Sequence, residues 1–81
     1  MKTLDEIIDY LKKNDIQYSI SYNGEVTEFS VQKKMKLALI GDKTTIANGE
    51  NEIDKINKCV EHFKKRIEAE QKFEQKIINQ N

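Results

Sequence analysis

The chain has 81 residues, enough for one domain and too few for two. Lys plus Arg and Asp plus Glu stand at 14 each, a balance that removes the bulk charge of a nucleic-acid binder or of an acidic mimic of nucleic acid. Hydrophobic residues make up 37% and charged ones 35%, yet the apolar residues fall into regular periods that a solvated chain would not need, and no apolar run reaches the ~18 to 20 residues that cross a bilayer.

In TLDEIIDYLKKND, Thr3 and Glu6 form a capping-box pattern, while Leu4, Ile7, Ile8 and Leu11 share one helical face; a helix over 3–14 is expected, with Asn14 taking the left-handed closing position. The segment SISYNGEVTEFSV then brings two alternating runs together at Asn23-Gly24. A two-residue type I′ turn there sets Tyr22 opposite Glu25, Ile20 opposite Thr27, Tyr18 opposite Phe29 and Ile16 opposite Val31, a hairpin over 16–32. Ile16, Tyr18, Ile20, Phe29 and Val31 then share a face, and Gln17, Ser19, Ser21, Glu28 and Ser30 form a wet one.

The same logic applied to MKLALIGDKTTIA places a type II′ turn at Gly41-Asp42, with Leu39 opposite Thr44 and Leu37 opposite Ile46, giving a second hairpin over 35–47. From Asn51, an N-cap, the chain reads as one helix over 51–79 without Gly or Pro. Ile53, Ile56, Val60, Phe63 and Ile67 keep a 3-4-3-4 spacing, but Glu70 and Glu74 take the next two places and the apolar series moves to Ala69, Phe73 and Ile77, in line with Cys59 and Arg66. At ~1.5 Å per residue such a helix outruns a domain of this size, so its last turns overhang the sheet; a break near 68–70, with the tail folded back, is the alternative. The fold expected is one α+β domain over 1–81, ordered α-β-β-β-β-α, an antiparallel four-stranded meander with both helices on one face.

Candidate chemistry is sparse. Cys59 and His62 lie one helical turn apart, close enough to share a metal, and a symmetric dimer could supply two of each; with no other Cys or His in the chain, a buried Cys and a solvated His are expected instead. A nucleophile and base pair there lacks an orienting group and an oxyanion loop. IGDKTT has the Lys-Thr ending of a phosphate-binding loop without its upstream glycines and continues as strand. No cofactor and no metal is expected, and no enzyme. Basic clusters at Lys12-Lys13, at Lys33, Lys34 and Lys36, and at Lys64, Lys65 and Arg66 could contact phosphates, although Glu61 and Glu68 flank the last and the wet sheet face lacks aromatics for stacking. The first ten residues are charged rather than signal-like and Cys59 has no disulfide partner, which suggests a cytoplasmic protein with no membrane contact.

The run IIDYLKKNDIQYSIS, two further strands and GENEID opening a C-terminal helix resemble, in order and length, the small phage-encoded anti-CRISPR inhibitors of type II nucleases. The resemblance spans most of the chain. It implies a compact protein that disables a larger machine by covering a surface. Together these readings favour a small non-enzymatic inhibitor or adaptor, a homodimer through its C-terminal helix with Phe73, Ile77, Ile78 and Arg66 in the contact. The competing reading is a nucleic-acid-binding regulator using Lys33, Lys34, Lys36, Lys64 and Lys65.

Overall fold

A computed structural model describes residues 3–79; Met1, Lys2, Gln80 and Asn81 of the expected domain lie outside the described residues. The order is α1 (Leu4–Lys13), β1 (Gln17–Tyr22), β2 (Val26–Lys34), β3 (Leu39–Ala47) and α2 (Glu52–Ile78), with an antiparallel sheet ordered β1-β2-β3. The class is α+β as expected, but the sheet has three strands rather than four.

Helix α1 begins with the expected capping box: Glu6 N–H donates to the Thr3 hydroxyl and Thr3 N–H to the Glu6 carboxylate. It ends in a Schellman arrangement, with Ile16 N–H donating to Leu11 C=O and Asp15 N–H to Lys12 C=O. The left-handed residue is Asp15 (φ 54°), one place beyond the expected Asn14, which has φ −104°. Asn14 instead donates its side-chain amide to Tyr10 C=O. Leu11 and Ile16, joined by the longer bond, are both buried, so the cap also directs the chain from helix into sheet.

The β1–β2 ladder pairs Tyr22 with Thr27, Ile20 with Phe29 and Tyr18 with Val31, two places from the expected register. The central turn residues are Gly24 and Glu25, and Asn23 caps them by accepting the N–H groups of Glu25 and Val26 on its side-chain oxygen. A slip of two leaves every side chain on its predicted face. Phe29 and Val31 are buried, while on the wet face Ser19 and Ser30 share a 2.7 Å hydroxyl hydrogen bond. Gly24 has φ 95° and open space around its missing Cβ, so Gly24→Val should cost about 1 kcal/mol or more through backbone conformation alone, read as a lower urea midpoint.

The second hairpin is a correction. Gly41 and Asp42 lie inside β3, opposite Gln32 and Val31, and the reversal is made by Met35–Ala38, where Met35 N–H donates to Ala38 C=O. The expected third and fourth strands are thus one strand of nine residues pairing along the whole of β2. Gly41 serves close approach rather than a turn, since a Cβ there would sit 3.2 Å from the Val31 carbonyl oxygen. Leu37 falls in the turn and Leu39 on the wet face, so both are exposed rather than packed opposite Ile46 and Thr44.

Both helices cover the face carrying Phe29, Val31 and Ile46, and a single core joins these to Ile7, Leu11, Ile56, Val60, Phe63 and Ile67. Helix α2 is unbroken from 52 to 78, which removes the folded-back tail. Its 27 residues span roughly 40 Å, and the molecule measures 52 × 23 × 16 Å with a radius of gyration of 14.5 Å, against about 12 Å for a compact chain of this length. Among the described residues no helix is long and apolar enough to cross a membrane.

Candidate functional site

Asn51 opens α2 by accepting the Asp54 N–H, as its sequence position suggests. The helix then runs back along β3. Ile56, Val60, Phe63 and Ile67 are buried as the spacing predicts, Cys59 joins them, and Ile53 at the first turn stays partly exposed.

Beyond Ile67 the stripe does not simply stop. Glu74, the position where the apolar series fails, is only 5% exposed, and its Oε2 accepts the N–H of Leu37 at 2.9 Å. The β2–β3 turn therefore presents a backbone donor to α2 where a longer sheet would present a side chain, and a carboxylate satisfies it. Glu74 was the residue missed by the sequence reading; the signal was its place in the 3-4-3-4 series.

This junction forms one wall-to-wall groove of about 440 Å³. Lys33, Lys34, Met35 and Lys36 line the turn side, and Gln71, Glu74, Gln75 and Ile78 line the helix side. Lys33 donates from its ammonium to the Asn14 carbonyl at the C-terminal end of α1, where a cation opposes the helix dipole. A second shallow depression, lined by Lys72, Gln75, Lys76 and Asn79, continues it along α2. Ile78 in the groove wall is 50% exposed, and Phe73 and Ile77, on the other side of Glu74 around the helix, are 53% and 41% exposed, together the largest apolar exposure on α2.

Net neutrality hides a polarity. Residues 32–37 and 63–79 carry eight Lys or Arg against three Glu, whereas 3–31 and 38–62 carry five Lys against eleven acids. The cationic half is the one that holds the groove and the exposed end of α2. Of the other residues singled out from sequence, Lys64 sits 5.7 Å from the Tyr10 ring centre and Lys65 is exposed. Arg66 is drawn away from the helix end, its guanidinium donating to Gly41 C=O on β3.

A second pocket of about 290 Å³ is lined by Asp42, Lys43, Thr44, Lys55, Lys58, Cys59 and His62. Placing Asp42 in a strand brings its Oδ2 to 2.7 Å from His62 Nδ1, a contact hidden from a reading that put Asp42 in a turn. Among the described residues no group of three His, Cys, Asp or Glu is arranged to hold a metal ion. Burial, with the Asp42 charge adding to it, pushes the Cys59 thiol up to about 11, so at neutral pH it is protonated and a poor nucleophile. IGDKTT lies in β3 and forms no loop for phosphate.

The Cys59 shift has a consequence for alkaline stability. A value above the ordinary 9.0 means that the folded chain holds the proton more tightly than the unfolded one, so the contribution is complete below about pH 9 and is lost as pH rises through about 11. Because the thiol borders the open pocket at Asp42 and His62, solvent screening reduces the loss to about 1–2 kcal/mol. Urea titrations of the wild type and Cys59→Ala from pH 8 to 11 measure it as the difference between the two pH dependences.

Comparison with protein-family models, with curated proteins and with solved structures finds no match for this chain.

Proposed function

We propose that the protein is a non-catalytic inhibitor or adaptor that acts by laying the exposed end of α2 and the adjoining lysine groove against a larger protein, in the manner that the resemblance to anti-CRISPR inhibitors implies. The observation that carries this reading is the exposure of Phe73, Ile77 and Ile78 on the end of α2 that the Glu74–Leu37 bond holds against the β2–β3 turn. Apolar anchors on the cationic half of the molecule suit a partner surface that is acidic around an apolar centre. A second copy docking through the same end, the arrangement expected from sequence, would set two cationic halves against each other, and charge favours the foreign partner.

Nucleic-acid binding is the second reading. It is favoured by the gathering of Lys33, Lys34, Lys36, Lys72 and Lys76 around two connected depressions, which gives lysines that are scattered in sequence a common surface. Phosphate contacts, however, leave the three apolar side chains without a use. Incubating the immobilised protein with lysate of its native host, before and after nuclease treatment, separates the two. The docking reading expects a protein retained through nuclease treatment and absent from a Phe73→Glu column. Retention that requires nucleic acid and persists in Phe73→Glu would put the second reading in its place.

A further inference from the structure

The two edges of the sheet are treated differently. The Met35 N–H to Ala38 C=O bond fixes the phase of the β2–β3 ladder, so the odd residues of β3 turn their backbone groups outward. Half of those groups, five of the ten on Leu39, Gly41, Lys43, Thr45 and Ala47, are occupied. Arg66 and Lys55 donate to Gly41 C=O and Thr45 C=O, Lys43 N–H donates to the Asp42 carboxylate, Ala47 N–H donates to the Glu50 carboxylate, and Ala47 C=O accepts Glu50 N–H. The α2 side chains and the β3–α2 turn thus obstruct this edge from Gly41 to Ala47.

On the opposite edge, the Asn23 N–H to Val26 C=O bond sets the phase of β1, and Tyr18, Ile20 and Tyr22 point their N–H and C=O groups away from β2. Among the described residues no side chain or backbone group caps them. The strand QYSISY holds no charge, no Pro and no Gly, and so lacks the usual means of blocking an edge. Ile20 and Tyr22 are 42% and 63% exposed on the helix-bearing side.

We infer that β1 pairs with β1 of a second copy, antiparallel and centred on Ile20, making one six-stranded sheet across a twofold axis. Cross-strand partners share a face, so the register must keep odd with odd and even with even. Among such registers, the one centred on Ile20 uses every outward group: Ile20 meets its counterpart, Tyr18 meets Tyr22 and Tyr22 meets Tyr18, each pair exchanging two hydrogen bonds. On the helix side this brings tyrosine to tyrosine and isoleucine to isoleucine, covering the exposed Ile20 and Tyr22; on the wet side Ser19 meets Ser21. A strand without charge sets no like charges against each other, whereas the cationic end of α2 would. The contact is independent of the docking surface on α2 and leaves it free.

Sedimentation velocity over a rising concentration series, with amide exchange of Tyr18, Ile20 and Tyr22, tests the inference. A dimer is expected, with those three amides protected in step with dimer formation. Ile20→Pro removes an outward donor without touching the β1–β2 ladder and should give a folded monomer. Ile20→Lys, which keeps the backbone intact should the proline variant fail to fold, places like charges opposite each other and should weaken the dimer at least tenfold. Phe73→Glu should remain dimeric. A wild-type monomer at every concentration would overturn the inference, as would a dimer whose three amides exchange freely or that survives Ile20→Lys.

Discussion

Phe63→Ala is expected to lower the folding free energy by about 3–5 kcal/mol, the range for emptying a buried phenylalanine site. Phe63 is 0% exposed and lies in the one core that both helices share with the sheet. Its removal costs the transfer of the ring and leaves a cavity in a domain too small to relax around it. A chain of this length has about 4–12 kcal/mol in total, so the variant should be partly unfolded at physiological temperature. Phe63→Leu, which keeps much of the volume, should cost less than about 1.5 kcal/mol. Urea unfolding by circular dichroism gives the values, with midpoints that fall and slopes that stay constant.

Phe73→Glu should do the reverse, sparing the fold and abolishing docking. The ring is half exposed, so the change in stability should stay within about 0.5 kcal/mol. At the centre of an interface, truncating an aromatic anchor and burying a carboxylate in its place should cost at least about 2 kcal/mol, or roughly 30-fold in affinity for the partner recovered from lysate. Lys34→Glu at the groove should act mainly on the association rate and lose its effect as salt rises. Calorimetry on the three proteins measures the first effect and stopped-flow association the second. Unchanged affinity in Phe73→Glu would move the docking surface elsewhere, and a dimer that dissolved in this variant would place a second copy on α2.

The contrast between these two phenylalanines, ten residues apart on one helix, was already legible in the sequence, because helical periodicity alone separates the series of Phe63 from that of Phe73. Helix caps were legible for a similar reason: Thr3, Glu6 and Asn51 act on backbone groups within three residues. The faces of β1 and β2 also came through, since period-two alternation survives a slip of two. The β2–β3 turn did not. Gly41-Asp42 has the chemistry of a hairpin turn and Met35–Ala38 has none of it, yet nine ladder pairs, the close approach at Gly41, the Asp42–His62 contact and the Arg66 bond all reward a continuous strand. Each of those is a long-range contact, invisible to local turn rules. The same error concealed the site, because the partner of Glu74 is an amide that exists only when the turn is at Leu37.

Under the proposed docking, that single hydrogen bond would lower the entropic cost of recognition. A helix end left to fray would have to be ordered by its partner, and ordering draws directly on the free energy of association. Tied to the sheet at Glu74, the last turn of α2 carries Ile77 and Ile78 into solution with its conformational freedom already spent during folding. Docking can then proceed as the meeting of two rigid bodies, with little backbone rearrangement and with a rate governed by long-range charge steering rather than by a folding step.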